Sequence, residues 1–413
     1  MIMPADFLRD ARETYVAANA GTLRWLLARP KLRGSFLNTK QNSISLADYG
    51  EKDGLRGPDY LYGWIQGRGL ESLTTHAAFF ENHDPELTLA LDAAGSELYQ
   101  ALDDLHARAG HAYFCYGADL RPIYLDGDGA VKAQPTPGDI FTYSDAFVCK
   151  GLVAAAVRYA PHDLPRHLAS LAKVIAAIEA NRFLMAEDGL LDETSLAAQP
   201  ADLGPRMILL GAAGLLTRLR LRPHAAFGER FVAHVIDRHF DDATGLLRNV
   251  PGEDACNVGH GIEFAGFALE YYGFGAPPGL LATLERILVA SFRTAFTGPG
   301  IRLSVSMGTQ LPTSPYCPWW SLPETIRTAA LLYEHTGSAA ALDIWRDASA
   351  AFFSNFWRGD PAIAYQTMTA AGPVDFVPAT PDLDPGYHTG ISLLAAIGAA
   401  DRLLAADPAT PAP

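Results

Sequence analysis

The 413-residue chain carries 32 basic and 46 acidic side chains, a formal net charge of −14. An acidic chain with no basic cluster is a poor partner for nucleic acid or an anionic membrane, so the expected ligand is a small molecule such as a neutral sugar. Apolar residues make up 49% and charged residues 19%, enough to bury a large core in one closed architecture or two average domains.

The amino terminus, MIMPADFLRDARETYVAANA, places charges where a secretory signal needs an apolar run. DYLYGWIQGRGL, from residue 59, opens with polar and aromatic residues and then turns small and apolar. Residues 86–108 differ: apolar positions recur three and four apart with charges opposite, as in a surface helix. HAYFCYGAD (111–119) and IYLDGDGAVKA (123–133) alternate like short strands. TYSDAFVCKGLVAAA, from 142, repeats the first helical pattern, and 166–181 repeats the second. AEDGLLDE (186–193) reads as a solvated turn. LGPRMILLGAAGLL (from 203) and VGHGIEFAGFAL (from 258) are again apolar all round, and MILLGAAGLL is too short to span a bilayer. IRLSVSMG (301–308) is strand-like, WWSLPETIRTAALL starts at 319, 340–356 is amphipathic, and YHTGISLLAAIGAA starts at 387. The four cysteines, Cys115, Cys149, Cys256 and Cys317, show no CxxC and read as free thiols of a reducing compartment, so a cytoplasmic protein is expected.

Six helices apolar on every side, starting 55 to 83 residues apart, thus alternate with amphipathic ones. That pattern describes two concentric rings, an all-α (α/α)6 barrel of six inner and six outer helices with short β-hairpin or loop insertions. One domain over residues 1–405 and a flexible tail at 406–413 are expected. Polar residues cluster at the amino-terminal end of each inner helix, so the site is expected at the mouth where those ends meet.

His260 and Glu263 share the opening turn of one inner helix. A neutral imidazole near its ordinary pKa of about 6.5 moves protons at neutral pH, and a carboxylate one turn away can fix its tautomer. The plain alternative is a core histidine satisfied by its neighbour. His388 heads the last inner helix and is the second candidate; two histidines on opposite faces of one carbon suit proton removal and return. Trp319 and Trp320 offer flat faces on which a pyranose ring can stack, Glu324 could hold hydroxyls, and plain core is the competing reading. Arg68, in an otherwise apolar helix with Tyr60 and Trp64, requires a carboxylate partner or oxygen ligands. Asp145 could be only an early-helix carboxylate favoured by the helix dipole. Neither HExxH nor a glycine-rich phosphate loop is present, so no metal and no nucleotide cofactor are expected.

Taken in order, these segments resemble the N-acylglucosamine 2-epimerase superfamily, which includes cellobiose 2-epimerase and the mannose and sulfoquinovose isomerases. The resemblance covers roughly residues 20–405. DYLYGWIQGR is similar to the family's Trp-x-Gln-x-Arg segment (Trp64, Gln66, Arg68), and TYSDAFVCKGL to its Tyr-Ser-Asp-x-Phe helix (Tyr143, Ser144, Asp145, Phe147). NVGHGIEFAGF resembles Asn-x-Gly-His-x-x-Glu (Asn257, His260, Glu263), and PWWSLPET resembles Trp-Trp-x-x-x-Glu (Trp319, Trp320, Glu324). GYHTGIS stands in the place of the last catalytic histidine, His388. The resemblance implies an (α/α)6 barrel in which His260 and His388 act as acid and base at C1 and C2 of an aldose, through an enediolate and without cofactor or metal. Arg68, Trp64, Tyr143, Asp145, Asn257, Glu263, Trp319, Trp320 and Glu324 are then the expected substrate contacts. A mannose-type aldose–ketose isomerase is favoured over a 2-epimerase. An (α/α)6 glycoside hydrolase or lyase, or a decayed sugar-binding protein, is the alternative, and a homodimer is compatible with all of these. Two departures stand out. The third inner helix has Ile208 and Gly211 where members carry His and Glu, and Ile391 replaces an arginine three residues after the last histidine.

Overall fold

The structure, a computed structural model, describes residues 4–376 and 380–406, so the expected tail falls, from residue 407 onward, outside the described residues. The chain divides into two compact units, Leu23–Ala201 with Ala379–Tyr387, and Met1–Thr22 with Asp202–Pro378 and His388–Pro413. Both are built mainly of helices, and α1 (Pro4–Ala28) opens the chain.

In the first unit, α2 (Gly63–Phe80) and α4 (Tyr143–Tyr159) are the helices buried nearly all round. Their approach depends on glycine. A Cβ on Gly67 would lie 2.6 Å from the Phe147 carbonyl carbon, and one on Gly151 would lie 2.5 Å from the Gly67 oxygen. The outer helices α3 (Pro85–Ala109) and α5 (Leu164–Glu179) each bury one stripe. Asp84 caps α3 by accepting from the Leu87 N–H, Pro85 fits the first turn, and Gly110 (φ 70°) closes it. The expected strands at 111–119 and 123–133 shorten to β2 (Cys115–Tyr116), β3 (Pro122–Leu125) and β4 (Val131–Ala133). With β1 (Leu61–Tyr62) they form one antiparallel sheet. A short α6 (Glu193–Ala198) follows.

In the second unit, the buried helices are α7 (Gly204–Arg218), α9 (Val258–Tyr272), α11 (Ser321–Thr336) and α13 (Ser392–Ala406), packed as neighbours in that order. Amphipathic α8 (Phe227–His239) covers α7, α10 (Pro278–Ala295) covers α9, and α12 (Ala339–Ala351) covers α11. The helix expected at 340–356 is α12 followed by a π turn at Phe352–Phe356. A second π turn, Tyr387–Ile391, leads into α13. By length and composition, residues 387–406 could cross a membrane, yet half of this stretch is buried inside the protein, as in a core helix. The strand-like stretch at 301–308 becomes two short strands, Gly300–Ile301 and Val305–Ser306.

Candidate functional site

Within the second unit, the starts of α9, α11 and the last helix bring seven of the expected residues together: Asn257, His260, Glu263, Trp319, Trp320, Glu324 and His388. Asn257 is the N-cap of α9, its side chain accepting from the His260 N–H at 3.4 Å, so it fixes where the helix presents His260. The His260 ring stacks on Trp320, centroids 5.5 Å apart at 27°. His388 packs against the same indole at 5.9 Å and 36°, and meets Trp319 edge-on at 6.2 Å. One tryptophan is therefore flanked by both imidazoles.

The two histidines are prepared differently. Burial pushes the His260 pKa down to about 4, and the nearby His388 adds to this, so the ring is neutral at ordinary pH. Its Nδ1 is buried without a hydrogen-bond partner among the described residues. His388 Nδ1 lies 2.9 Å from Glu324 Oε1. With Nδ1–H donating to the carboxylate, the lone pair resides on Nε2. Glu324 is itself buried, which raises its pKa, but the Arg327 charge and the His388 hydrogen bond outweigh this and hold it ionised. Glu263 is buried one turn beyond His260, and one donor atom each of Glu263, Glu324 and His388 fall within 4.8 Å of one another. The Arg327 guanidinium, paired to Glu324, supplies a cation beside this group. The Trp319 Nε1–H is likewise buried and unpartnered among the described residues. An unmet buried donor or acceptor costs about 1–3 kcal/mol, so two of them beside the histidines are groups a ligand would satisfy.

The first unit gathers the other expected residues. Arg68 is 9% exposed, with its guanidinium carbon 4.1 Å from the Phe147 centroid, 5.0 Å from Trp64 and 5.3 Å from Tyr387. Tyr143 meets Trp64 edge-on at 5.7 Å. Gln66 is spent on structure: its amide clasps both the N–H and the carbonyl of Leu37. Asp145 is spent likewise. One oxygen accepts from the Thr142 N–H at 2.9 Å and the other from the Ala112 N–H at 2.8 Å, so it closes the capping box of α4 and anchors the preceding loop. The helix-start reading of Asp145 is the one its geometry supports.

Two groups here escaped the sequence reading. Lys150 is buried, with Nζ 2.5 Å from the Tyr387 hydroxyl and 3.0 Å from Glu71. Glu187 lies in the stretch read as a solvated turn, yet it is 4% exposed. It accepts from the Trp64 indole N–H and from the Ser144 N–H at 3.0 Å. Burial pushes its pKa up to about 7 against the pull of those donors. The only signal in the sequence was one acid of the acidic string AEDGLLDE, just after a two-residue strand, a composition that many solvated loops share.

No family model matches the chain, and no curated protein matches it. Solved structures do. The cellobiose 2-epimerase of Spirochaeta thermophila aligns with 97% of this chain and 98% of its own at 15% identity and a TM-score of 0.71. A D-mannose isomerase aligns with 94% and 97% at 11% identity and 0.69. The chain has an N-acylglucosamine 2-epimerase-like fold. The all-α, (α/α)6 class expected from the helix pattern is shown by these matches. An unsaturated glucuronyl hydrolase specific for heparin also aligns, over 97% of this chain and 99% of that one, at 9% identity and 0.57. Within this epimerase-like fold, the two departures on the third and last inner helices take physical form. A Cβ on Gly211 would fall 2.8 Å from the Phe267 ring, so an aromatic ring fills the place of a side chain at 211. Ile391 is buried, in keeping with an apolar side chain there.

Proposed function

We propose that the protein is a cofactor-independent sugar isomerase or 2-epimerase acting at C1 and C2 of an aldose. The observation that carries this reading is the pair of imidazoles, His260 and His388, packed against one indole. With the open-chain sugar within reach of both imidazoles, one histidine removes the proton from C2 and an enediolate forms. Delivery of a proton to C1 gives the ketose, and delivery to the opposite face of C2 gives the epimer. Glu324 holds His388 in the tautomer that offers Nε2 to the substrate. Aldose–ketose isomerisation is favoured because Ile391 replaces the arginine that accompanies the last histidine in epimerases. Structural likeness to a D-mannose isomerase and to a cellobiose 2-epimerase supports the reaction class. The four buried, unpaired cysteines suit a reducing compartment such as the cytoplasm.

The test is exchange in deuterated water. Over a panel of aldoses, ketoses and disaccharides, the protein is expected to place deuterium at C1 or C2 of its substrate. His260→Ala and His388→Ala should each lose at least about a hundredfold in that rate, as expected for removal of a general acid or base. Unchanged labelling in both variants would remove the hypothesis.

A glycoside hydrolase reading has one observation in its favour, the Glu187 carboxyl held near pKa 7, where a general acid belongs. Both of its oxygens already accept hydrogen bonds from Trp64 and Ser144, which leaves it a positioning role instead. Release of reducing ends from a uronyl oligosaccharide, lost in Glu187→Gln, would restore that reading.

A further inference from the structure

Glu324 and Arg327 lie three apart on α11 and so share a face. Both side chains are buried, and the guanidinium Nη2 pairs with Glu324 Oε2 while His388 takes Oε1. One carboxylate is thus gripped from two sides by different donors. The guanidinium has a seat built from two further helices. Its carbon lies 4.2 Å from the centroid of Phe267 on α9, and Nη1 lies 3.9 Å from Glu270. The Phe267 ring occupies that position only because residue 211 on α7 has no side chain. Three helices therefore cooperate to bury one cation, which is costly unless its partners are well placed.

The chemistry explains what such a seat does. A lone buried carboxylate 2.9 Å from an imidazole stabilises the imidazolium, and a base held protonated is no base. A fixed cation on the far oxygen shares the negative charge and opposes a second cation at the ring. We propose that Arg327 is a positioning residue for His388, holding the Glu324 carboxylate in the orientation that sets the tautomer while its charge keeps the histidine in its neutral, proton-accepting form. That His388 accepts a proton rests on the proposed function; the effect of the Arg327 charge on its ring does not. Glu324 of α11, with Arg327 paired to it, and His260 and Glu263 of α9 are titratable or charged groups facing His388, and Tyr387 precedes it on its own turn; Glu270 lies on the far side of Arg327, 3.9 Å from its Nη1. From α1 comes the neutral Asn19, which donates to the Gly390 carbonyl.

The experiment is an NMR titration of the His388 ring in the full-length wild-type protein, Arg327→Lys and Arg327→Met, with the pH profile of deuterium exchange recorded alongside. Arg327→Met is expected to raise the His388 midpoint by about one pH unit and to move the acidic limb of exchange to higher pH by the same amount. Arg327→Lys should restore the wild-type midpoint to within a few tenths. A methionine variant that folds and titrates like the wild type would make Arg327 merely structural and overturn the proposal. A lysine variant that shifts as far as the methionine one would overturn the charge argument. Should Arg327→Met fail to fold, Arg327→Gln, which keeps a hydrogen bond without the charge, serves in the same comparison. The ring titration needs no substrate, so absent exchange in the wild type would remove the isomerase reading and leave this test standing.

Discussion

Glu187 shows how much one buried group can impose. Its carboxyl sits at the start of α4, pushed by burial from 4.5 to about 7. Between those pH values the folded state keeps a proton that the unfolded chain releases. Stability from this group is therefore full below about pH 4.5 and declines as pH rises through about 7. The displacement corresponds to about 3 kcal/mol. Glu187→Gln cannot ionise, so its stability relative to the wild type should improve from pH 4.5 to 8 by an amount of that order, read by urea unfolding at several pH values. A difference that stays flat with pH would show that the carboxyl is not held neutral. The same residue marks a limit of sequence reading, since its Trp64 partner lies 123 positions away and the local string has the composition of a solvated turn. His260 and His388 were legible for the opposite reason: each opens an apolar helix, and helix starts are written in local spacing.

At the scale of elements, small residues decide how closely the inner helices pack and what stands between them. On α9, a Cβ added to Gly259 would fall 2.6 Å from the Trp320 ring, the indole against which both histidines pack. At Gly261, two positions on, the nearest atom would be the Ser291 hydroxyl at 3.5 Å, an ordinary contact. Both sites are helical, so alanine gains a similar helix propensity of up to about 1 kcal/mol at each. Gly259→Ala is expected to displace Trp320 and lower the exchange rate by tenfold or more, because small misplacements at a reacting centre are expensive. Gly261→Ala should keep wild-type exchange and lose no stability. Equal behaviour of the two variants would show that the indole is not held by that contact. The alternation of buried and amphipathic helices was readable because it is periodic. The Phe267 ring filling the place beside Gly211 was not, since it depends on α7 and α9 meeting at particular positions. Thus Ile208 and Gly211 are read directly from the sequence, whereas the packing of α7 against α9 is needed to show that the Phe267 ring fills the space beside Gly211.

For the molecule as a whole, buried histidines set the response to acid. Burial holds His260, His167 and His234 at about 4, each against an ordinary value of 6.5. Between pH 6.5 and 4 the unfolded chain binds these protons and the folded protein does not, so stability falls as pH falls through that window. A histidine that stays neutral adds a slope of up to about 1.4 kcal/mol per pH unit there. Glu187 contributes the opposite sign over 4.5 to 7, but with one proton against three, so the net expectation is loss on acidification. Unfolding midpoints in urea at pH 6.5, 5.5 and 4.5 measure it, and His260→Leu should flatten the slope by up to one proton's share. A slope unchanged in that variant would mean that His260 is not held neutral by the fold. The consequence reaches the chemistry, because a histidine neutral down to about 4 cannot be the group whose protonation ends activity at higher pH. On the proposed function, an acidic limb of the exchange rate above about 5 is expected to come from another group, and Arg327→Met tests whether that group is His388, held to Glu324 beside Arg327. The two histidines are thereby separable in one protein: His260→Leu changes the stability slope, and Arg327→Met moves the activity limb.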